Sequence, residues 1–266
     1  MKFIFWNINK KPLVDELAEL IYESQCDLCV LAESNEEIVE QVILCLNEKY
    51  EIECSLFANP GCDRIAFIVI GQLEISLLES HYYFSLVKIK GNQKSLIAGF
   101  LHFPSQLHTN NLELTGRMCE KVNHKIVRAE SHYNIKDSLL MGDFNVNPFD
   151  LPMISFRSLG ATNGQQCSLR GTISSYGDAK ELFYNPMWTL YAKYKERPGS
   201  YRYPATANHV LTWHFFDQVI IRPSLIENFN FDALSLVMET KNFNYLNKNK
   251  FPELSDNLPL VCEIDI

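Results

Sequence analysis

Short apolar runs that switch abruptly to polar residues recur along the chain. Residues 2–9 read as a strand, and because strand side chains alternate faces, Phe3, Phe5, Asn7 and Asn9 share one face. Residues 27–34 repeat the design, with Cys29, Leu31 and Glu33 on one face. Between them Leu13, Leu17, Leu20 and Ile21 recur at helical spacing, and residues 36–50 form a second helix with Ile38, Val42, Ile43 and Leu46 inward. Residues 52–57, 64–70, 73–79, 82–90 and 94–103 then read as successive strands. Asn59-Pro60-Gly61 and Gly91-Asn92 mark turns among them, so an antiparallel sheet is expected, its last strand ending in His102-Phe103-Pro104-Ser105.

A long helix follows over residues 110–133. Leu112, Thr115, Cys119, Val122, Ile126 and Ala129 make its inner stripe. Arg117, Lys121, Lys125 and Arg128 make a basic stripe, which a solvated face explains without further function. Next comes an apolar run that stops at a carboxylate and an amide. Leu139, Met141, Asp143 and Asn145 share a face, the first two inside and the last two at the rim, and Pro148 ends the strand. Residues 150–200 are rich in loops and short helices. Residues 211–222 form a strand carrying Asp217, residues 234–239 a further one, and residues 241–250 an exposed loop. The strand at 258–264 follows directly on Ser255-Asp256-Asn257. There is no repeat, and the mixed order of strands and helices predicts a layered α/β protein with two sheets. With no linker-like stretch, a single domain over residues 1–266 is expected.

Composition narrows the choice of partner. Hydrophobic residues make up 47% of the chain and aromatics 12%, enough for a sizeable core. A net charge of −8 argues against a broad basic face gripping duplex nucleic acid, while leaving room for a local phosphate site bridged by a cation. Of the eight cysteines, Cys26 and Cys29 have a C-x-x-C spacing, but they run into Val30-Leu31 as a buried strand and have no second pair to complete a zinc site. A reducing, cytoplasmic compartment fits them best. No apolar run is long enough to span a bilayer, so no membrane association is expected.

Asn7, Asn9, Glu33, His102, Asp143, Asn145, Asp217, Asp256 and Asn257 are polar residues at strand ends from separate segments of the whole chain. Each alone reads as ordinary turn chemistry. Together one shared mouth explains them better. On Trp6-Asn7-Ile8-Asn9, Leu31-Ala32-Glu33-Ser34, Leu101-His102-Phe103-Pro104-Ser105, Gly142-Asp143-Phe144-Asn145, Phe216-Asp217-Gln218-Val219-Ile220 and Ser255-Asp256-Asn257-Leu258-Pro259-Leu260, in this order, the chain resembles the endonuclease/exonuclease/phosphatase superfamily. The resemblance implies a four-layer α/β sandwich, two packed mixed sheets flanked by helices, and hydrolysis of phosphoesters assisted by Mg²⁺ or Mn²⁺. It implies Glu33 as the principal metal ligand, with Asp256 and Asn9 close to the metal shell. Asp143 then positions or deprotonates the attacking water and Asn7 holds it. Asn145 and His102 donate to the phosphate, Arg117 matches a further phosphate-binding position, and Asp217 orients the family's last histidine. The chemistry agrees: a phosphodiester repels hydroxide, and a hard cation with oxygen ligands absorbs that charge.

One departure is serious, because the family closes its last motif in Ser-Asp-His and residue 257 here is asparagine. Asparagine keeps one donor and the approximate size but does not titrate. An exchange made to trap substrate, native chemistry without the histidine, and a binder without turnover are the competing readings, in that order. His209 shares strand parity with Asp217 and His214 does not. Acidic charge favours a small or single-stranded substrate. A nucleic-acid phosphodiesterase is the first expectation; a phosphatase or phospholipase on a small or lipid headgroup, and a non-catalytic phosphate-binding module, are the alternatives. Tyr184, Trp188, Tyr191, Tyr194, Tyr201 and Tyr203 crowd one region and would stack on bases if exposed, or pack onto the sheets if not.

Overall fold

The computed structural model describes residues 1–105, 112–175, 177–194, 196–197, 199–205 and 210–266. In chain order these form β1 (Lys2–Asn7), α1 (Val14–Ser24), β2 (Leu28–Ala32), α2 (Glu36–Lys49), β3 (Cys54–Phe57), β4 (Ile65–Ile70), β5 (Ile75–His81), β6 (Phe84–Lys90), β7 (Ser95–His102), α3 (Leu112–Tyr133) and β8 (Ser138–Asp143). There follow α4 (Leu151–Ile154), β9 (Ala161–Thr162), α5 (Gln165–Ser168), β10 (Thr172–Ser175), β11 (Asp178–Glu181), β12 (Phe183–Tyr184), α6 (Trp188–Lys193), β13 (Tyr201–Arg202), β14 (Trp213–His214), β15 (Asp217–Ile221), β16 (Ser235–Leu236) and β17 (Leu260–Glu263).

Strands that are apolar at nearly every position need cover on both faces. β2 and β8 are buried at every residue, and β1 at all but its first. They lie inside two mixed sheets, one ordered β16-β17-β1-β2-β4-β3 and the other β5-β6-β7-β8-β15-β12-β9. The inner faces meet through Phe3, Phe67 and Phe100, whose rings lie 6.3 and 5.5 Å apart about Phe100, and through the sulfurs of Cys262 and Met141 at 3.8 Å. Leu17, Leu20 and Ile21 of α1 and Val42 and Leu46 of α2 complete the same core. On the far face of the second sheet, Leu86, Ile97, Leu101 and Leu140 pack against Cys119, Val122 and Ile126 of α3. The result is the expected α/β sandwich of two mixed sheets with flanking helices.

The structure corrects the antiparallel sheet expected from the middle of the chain. β3 and β4 pair with each other and, through β2, belong to the first sheet, whereas β5, β6 and β7 belong to the second. The chain crosses between them at Gly71, whose φ of 66° suits glycine. Alternation shows which side chains face inward and is silent about which strand lies alongside. The strand read over residues 211–222 is broken at Phe215 and Phe216 into β14 and β15. On α3, Leu112 is exposed, and Asn123 and Glu130 are buried in addition to the apolar stripe. Glu130 is paid for by Arg222, which donates from Nε at 2.7 Å and Nη2 at 3.1 Å, and by the Ser138 hydroxyl.

Strand direction gathers the chemistry. β1 and β2 run parallel and end together at Asn7 and Ala32, and β7 and β8 run parallel and end at His102 and Asp143, which are register partners. β15 runs against β8, so its first residue, Asp217, faces Asp143. β17 runs against β1, which brings the segment ahead of Leu260 beside the end of β1. Gly142 sets this edge: it opposes Leu101, and a Cβ there would stand 2.0 Å from the Leu101 carbonyl oxygen, at a φ of 154°. Gly142→Ala should therefore cost about 3 kcal/mol or more, since neither backbone yields easily. Urea unfolding checks this, and an unchanged midpoint would show that the two strands separate freely.

Candidate active site

A cleft of about 480 Å³ opens at this edge, lined by Asn7, Asn9, Glu33, Arg64, His102, Pro104, Ser105, Asp143, Asn145, Tyr201, Phe216, Asp256 and Asn257. Asp217 lies directly behind Asn257 and is fully buried. Arg117 is elsewhere: it sits on the solvent face of α3, 69% exposed, paired with Glu113 one turn away. Helical spacing put it on a basic stripe, and that stripe faces water. Lys121 and Lys125 likewise pair with His81 and Glu79. His209 lies outside the described residues. His214 is buried against Asn147, with Nδ1 3.2 Å from the Asn147 amide nitrogen.

Asp143 is the centre of the cleft. Asn7 Nδ2 donates to its Oδ2 at 3.1 Å and the Asn145 backbone N–H donates to its Oδ1 at 2.9 Å. Burial nevertheless pushes its carboxyl up to about 7; these two donors oppose the shift, and the charges of Asp256 and Glu33 add to it. His102 is buried beside it, with Nε2 3.5 Å from Glu33 Oε1 and 3.9 Å from Asp143 Oδ2. Burial, helped by the Arg64 guanidinium, lowers its pKa to about 3, so the ring is neutral. Arg64 Nη2 lies 3.1 Å from Nδ1 and 3.2 Å from Nε2, against the edge of the ring that carries both nitrogens.

Three of these positions depend on left-handed backbone. Asn9, Glu33 and Asn145 have φ of 49°, 50° and 52°. Such conformations cost about 1–3 kcal/mol away from glycine and concentrate at functional sites. They turn the chain at the ends of β1, β2 and β8, so Glu33 and Asn145 reach the cleft by a bend rather than by continued strand alternation. Asn145 Nδ2 donates to the Phe103 carbonyl at 2.8 Å, which leaves one of its two amide hydrogens for a ligand.

Asn257 is held from both ends. Trp6 Nε1 donates to its carbonyl oxygen at 2.9 Å, and its own Nδ2 donates to Asp217 Oδ2 at 2.7 Å. Ser200 Oγ accepts from the Asp217 backbone N–H at 3.1 Å, and Tyr201 bridges to Asn257. Burial, with Asp143 close by, raises the Asp217 carboxyl well above the usual range, and its Oδ1 has no partner among the described residues.

The oxygen donors fit a hard cation. Glu33 is 31% exposed into the cleft, Asp256 is half-buried with Oδ1 accepting from the Ser255 hydroxyl at 3.2 Å, and Asn9 lines the cleft from the loop that follows β1. Among the described residues no three of His, Cys, Asp and Glu form a ready ligand cluster. The donor set suits Mg²⁺ or Mn²⁺ held by one or two carboxylates and completed by water or phosphate oxygens. Arg64 and Phe216 were missed by sequence reasoning. Arg64 was legible only through topology: β4 runs against β2, with Ile65 opposite Ala32, so the residue before it meets the same edge. Tyr184 is buried, and Trp188, Tyr191, Tyr194, Tyr201 and Tyr203 are only partly exposed; of these Tyr201 alone lines the cleft, stacked on Phe216 at 5.1 Å.

No family model matches the chain, and no curated protein matches it in sequence. Solved structures do match in fold. D. rerio TDP2, in a complex with single strand DNA product, has 14% identity and a TM-score of 0.61 over 100% of this chain and 99% of that one. The human nocturnin catalytic domain with bound sulfate has 14% identity and a TM-score of 0.55, covering 99% and 92%. An endonuclease/exonuclease/phosphatase family protein from Bacteroides thetaiotaomicron has 12% identity and a TM-score of 0.56, covering 99% and 97%. The chain has the fold of the endonuclease/exonuclease/phosphatase superfamily.

The Asp143 shift makes a prediction for the metal-free protein. A carboxyl raised from its ordinary 3.8 to about 7 stabilises the fold least above the higher value; the benefit of staying protonated is complete below the lower one and is lost as pH rises between them. Whatever fixed cost an amide brings, Asp143→Asn should therefore gain stability relative to the parent between pH 4 and pH 8 (roughly the span of the two values). Urea unfolding in EDTA at both pH values measures this, and a difference that stays constant would show that Asp143 is ionised throughout.

Proposed function

We propose that the protein hydrolyses phosphodiester bonds with the help of a divalent cation, and that its substrate is nucleic acid presented as a single strand. One observation carries this reading: Asn7, Glu33, His102, Asp143, Asn145, Asp256 and Asn257, from segments spread over the chain, line one cleft. The acidic net charge favours a locally gripped strand over a duplex, and the TDP2 structure of the same fold is a complex with single strand DNA product. No described helix is long and apolar enough to cross a membrane. A reducing cytoplasm, where the cysteines stay free, is the compartment that accords with this reading.

In this mechanism Glu33 and Asp256, with Asn9 nearby, would hold the cation. When bound, Mg²⁺ or Mn²⁺ absorbs charge developing on the phosphoryl oxygens. Asp143 takes the proton of the attacking water, and a pKa near 7 places it well for that task. Asn7 fixes the orientation of its carboxylate. His102 and the free amide hydrogen of Asn145 donate to the phosphate as neutral groups, stabilising the transition state without trapping the product. Asn257 adds a neutral donor where an imidazole would carry charge or exchange a proton.

Two outcomes test these assignments. Glu33→Gln should keep the fold and weaken Mn²⁺ binding in a calorimetric titration, because it removes an anionic oxygen without changing shape; equal affinity would remove Glu33 from the metal shell. Asn257→His should raise the single-turnover rate on a labelled oligonucleotide by roughly 10²-fold. Asp217→Asn should then be costly in the Asn257→His background and mild in the parent. Equal costs in both, with no gain from histidine, would show that asparagine is the native catalytic partner.

A further inference from the structure

Arg64 is the one fixed cation among the described residues of the cleft, set against the carboxylates of Glu33, Asp143 and Asp256. Despite those neighbours it makes no ion pair among the described residues, none of whose carboxylates lies within 4.0 Å of its guanidinium, and its buried Nε has no hydrogen-bond partner among them. Its Nη2 instead rests against the His102 ring, 3.1 Å from Nδ1 and 3.2 Å from Nε2. Tyr82 and Tyr83 hold it from the other side, each ring centre 5.4 Å from the guanidinium carbon. Its position is fixed by backbone as well, since the Glu33 N–H donates to the Arg64 carbonyl at 3.3 Å. An unpaired guanidinium locked in place at the wall of an acidic cleft has donors to give and no resident anion to receive them.

We propose that Arg64 is a phosphate-binding residue of this cleft, gripping a nonbridging oxygen of the substrate phosphate beside His102. The planar fork of arginine matches a phosphate edge and stays charged at every working pH, which neither the neutral His102 nor the amide of Asn257 offers. It supplies the charge complementarity that lets an anion enter among carboxylates. The effect on rate rests on the hydrolase reading above; the effect on binding does not.

The test uses the full chain with Arg64→Gln and Arg64→Lys. Binding of a fluorescein-labelled single-stranded oligothymidylate is followed by anisotropy in EDTA across a NaCl series. The slope of log affinity against log salt should shrink by roughly 0.7 in Arg64→Gln, the value for one phosphate contact on a single strand, and be kept in Arg64→Lys. In Mn²⁺, Arg64→Gln should slow single-turnover cleavage by roughly 10²-fold, with partial rescue in Arg64→Lys. An unchanged slope in Arg64→Gln, or a parent protein that shows no salt-dependent binding, overturns the proposal. If no protein, Asn257→His included, cleaves any oligonucleotide, the hydrolase reading falls and the salt slope still decides the role of Arg64.

Discussion

The burial of Asp143 is the constraint on which the rest of the site depends. A carboxylate with almost no exposure loses its water, and two hydrogen bonds, from Asn7 and from the Asn145 backbone, replace only part of it. The fold accepts this because the donors come from rigid places. Asn7 closes a central strand of one sheet, and Asn145 follows the central strand of the other. The bond between Asn7 and Asp143 thus spans the two sheets at the mouth of the core. Any shift of one sheet on the other would break it and leave the carboxyl neutral and without its partner.

Register at the same edge has equally little freedom. β8 lies between β7 and β15, and its end is met by His102 on one side and Asp217 on the other. A slip of one residue would move Leu139 and Met141 from the core between the sheets to the face covered by α3 as it moved Asp143 from the cleft. The buried apolar face of β8 and the chemistry at its end are therefore fixed by one register. Close packing of Gly142 on Leu101 removes the remaining slack.

Much of this was legible in the residue pattern. The apolar-to-polar switch placed Asn7, His102 and Asp143 at strand ends because those ends obey strict alternation. Glu33 and Asn145 were found for an incomplete reason: both lie past the last strand residue, in left-handed backbone that alternation does not describe. Arg64 and Arg117 show the deeper limit. Both are arginines, but one, just ahead of β4, lines the cleft and the other, within α3, faces water. What separates them is the pairing of β4 with β2, a contact between segments more than thirty residues apart (Ala32 and Ile65), and no local period encodes it. The split of the middle strands between two sheets was hidden for the same reason.

Asparagine at position 257 is better understood as half of a neutral pair than as a gap. Asp217 is fully buried beside Asp143, and two carboxylates so placed do not ionise together without a nearby positive charge. An imidazolium would supply that charge and hold Asp217 ionised. An amide does not, and the structure has answered with a carboxyl driven toward its neutral form, hydrogen-bonded to Asn257 at 2.7 Å and closed over by Ser200 and Tyr201. The one hydrogen bond that joins the pair, from Asn257 Nδ2 to Asp217 Oδ2, needs no charge on either side, and Asp217 Oδ1 keeps no partner among the described residues. In the mechanism proposed above, the positive charge missing behind Asn257 would then come from a cation at Glu33 and Asp256 and from Arg64, which lines the same cleft. On that reading, electrostatic balance at this edge runs through the residues lining the cleft and not through the buried Asp217 behind them.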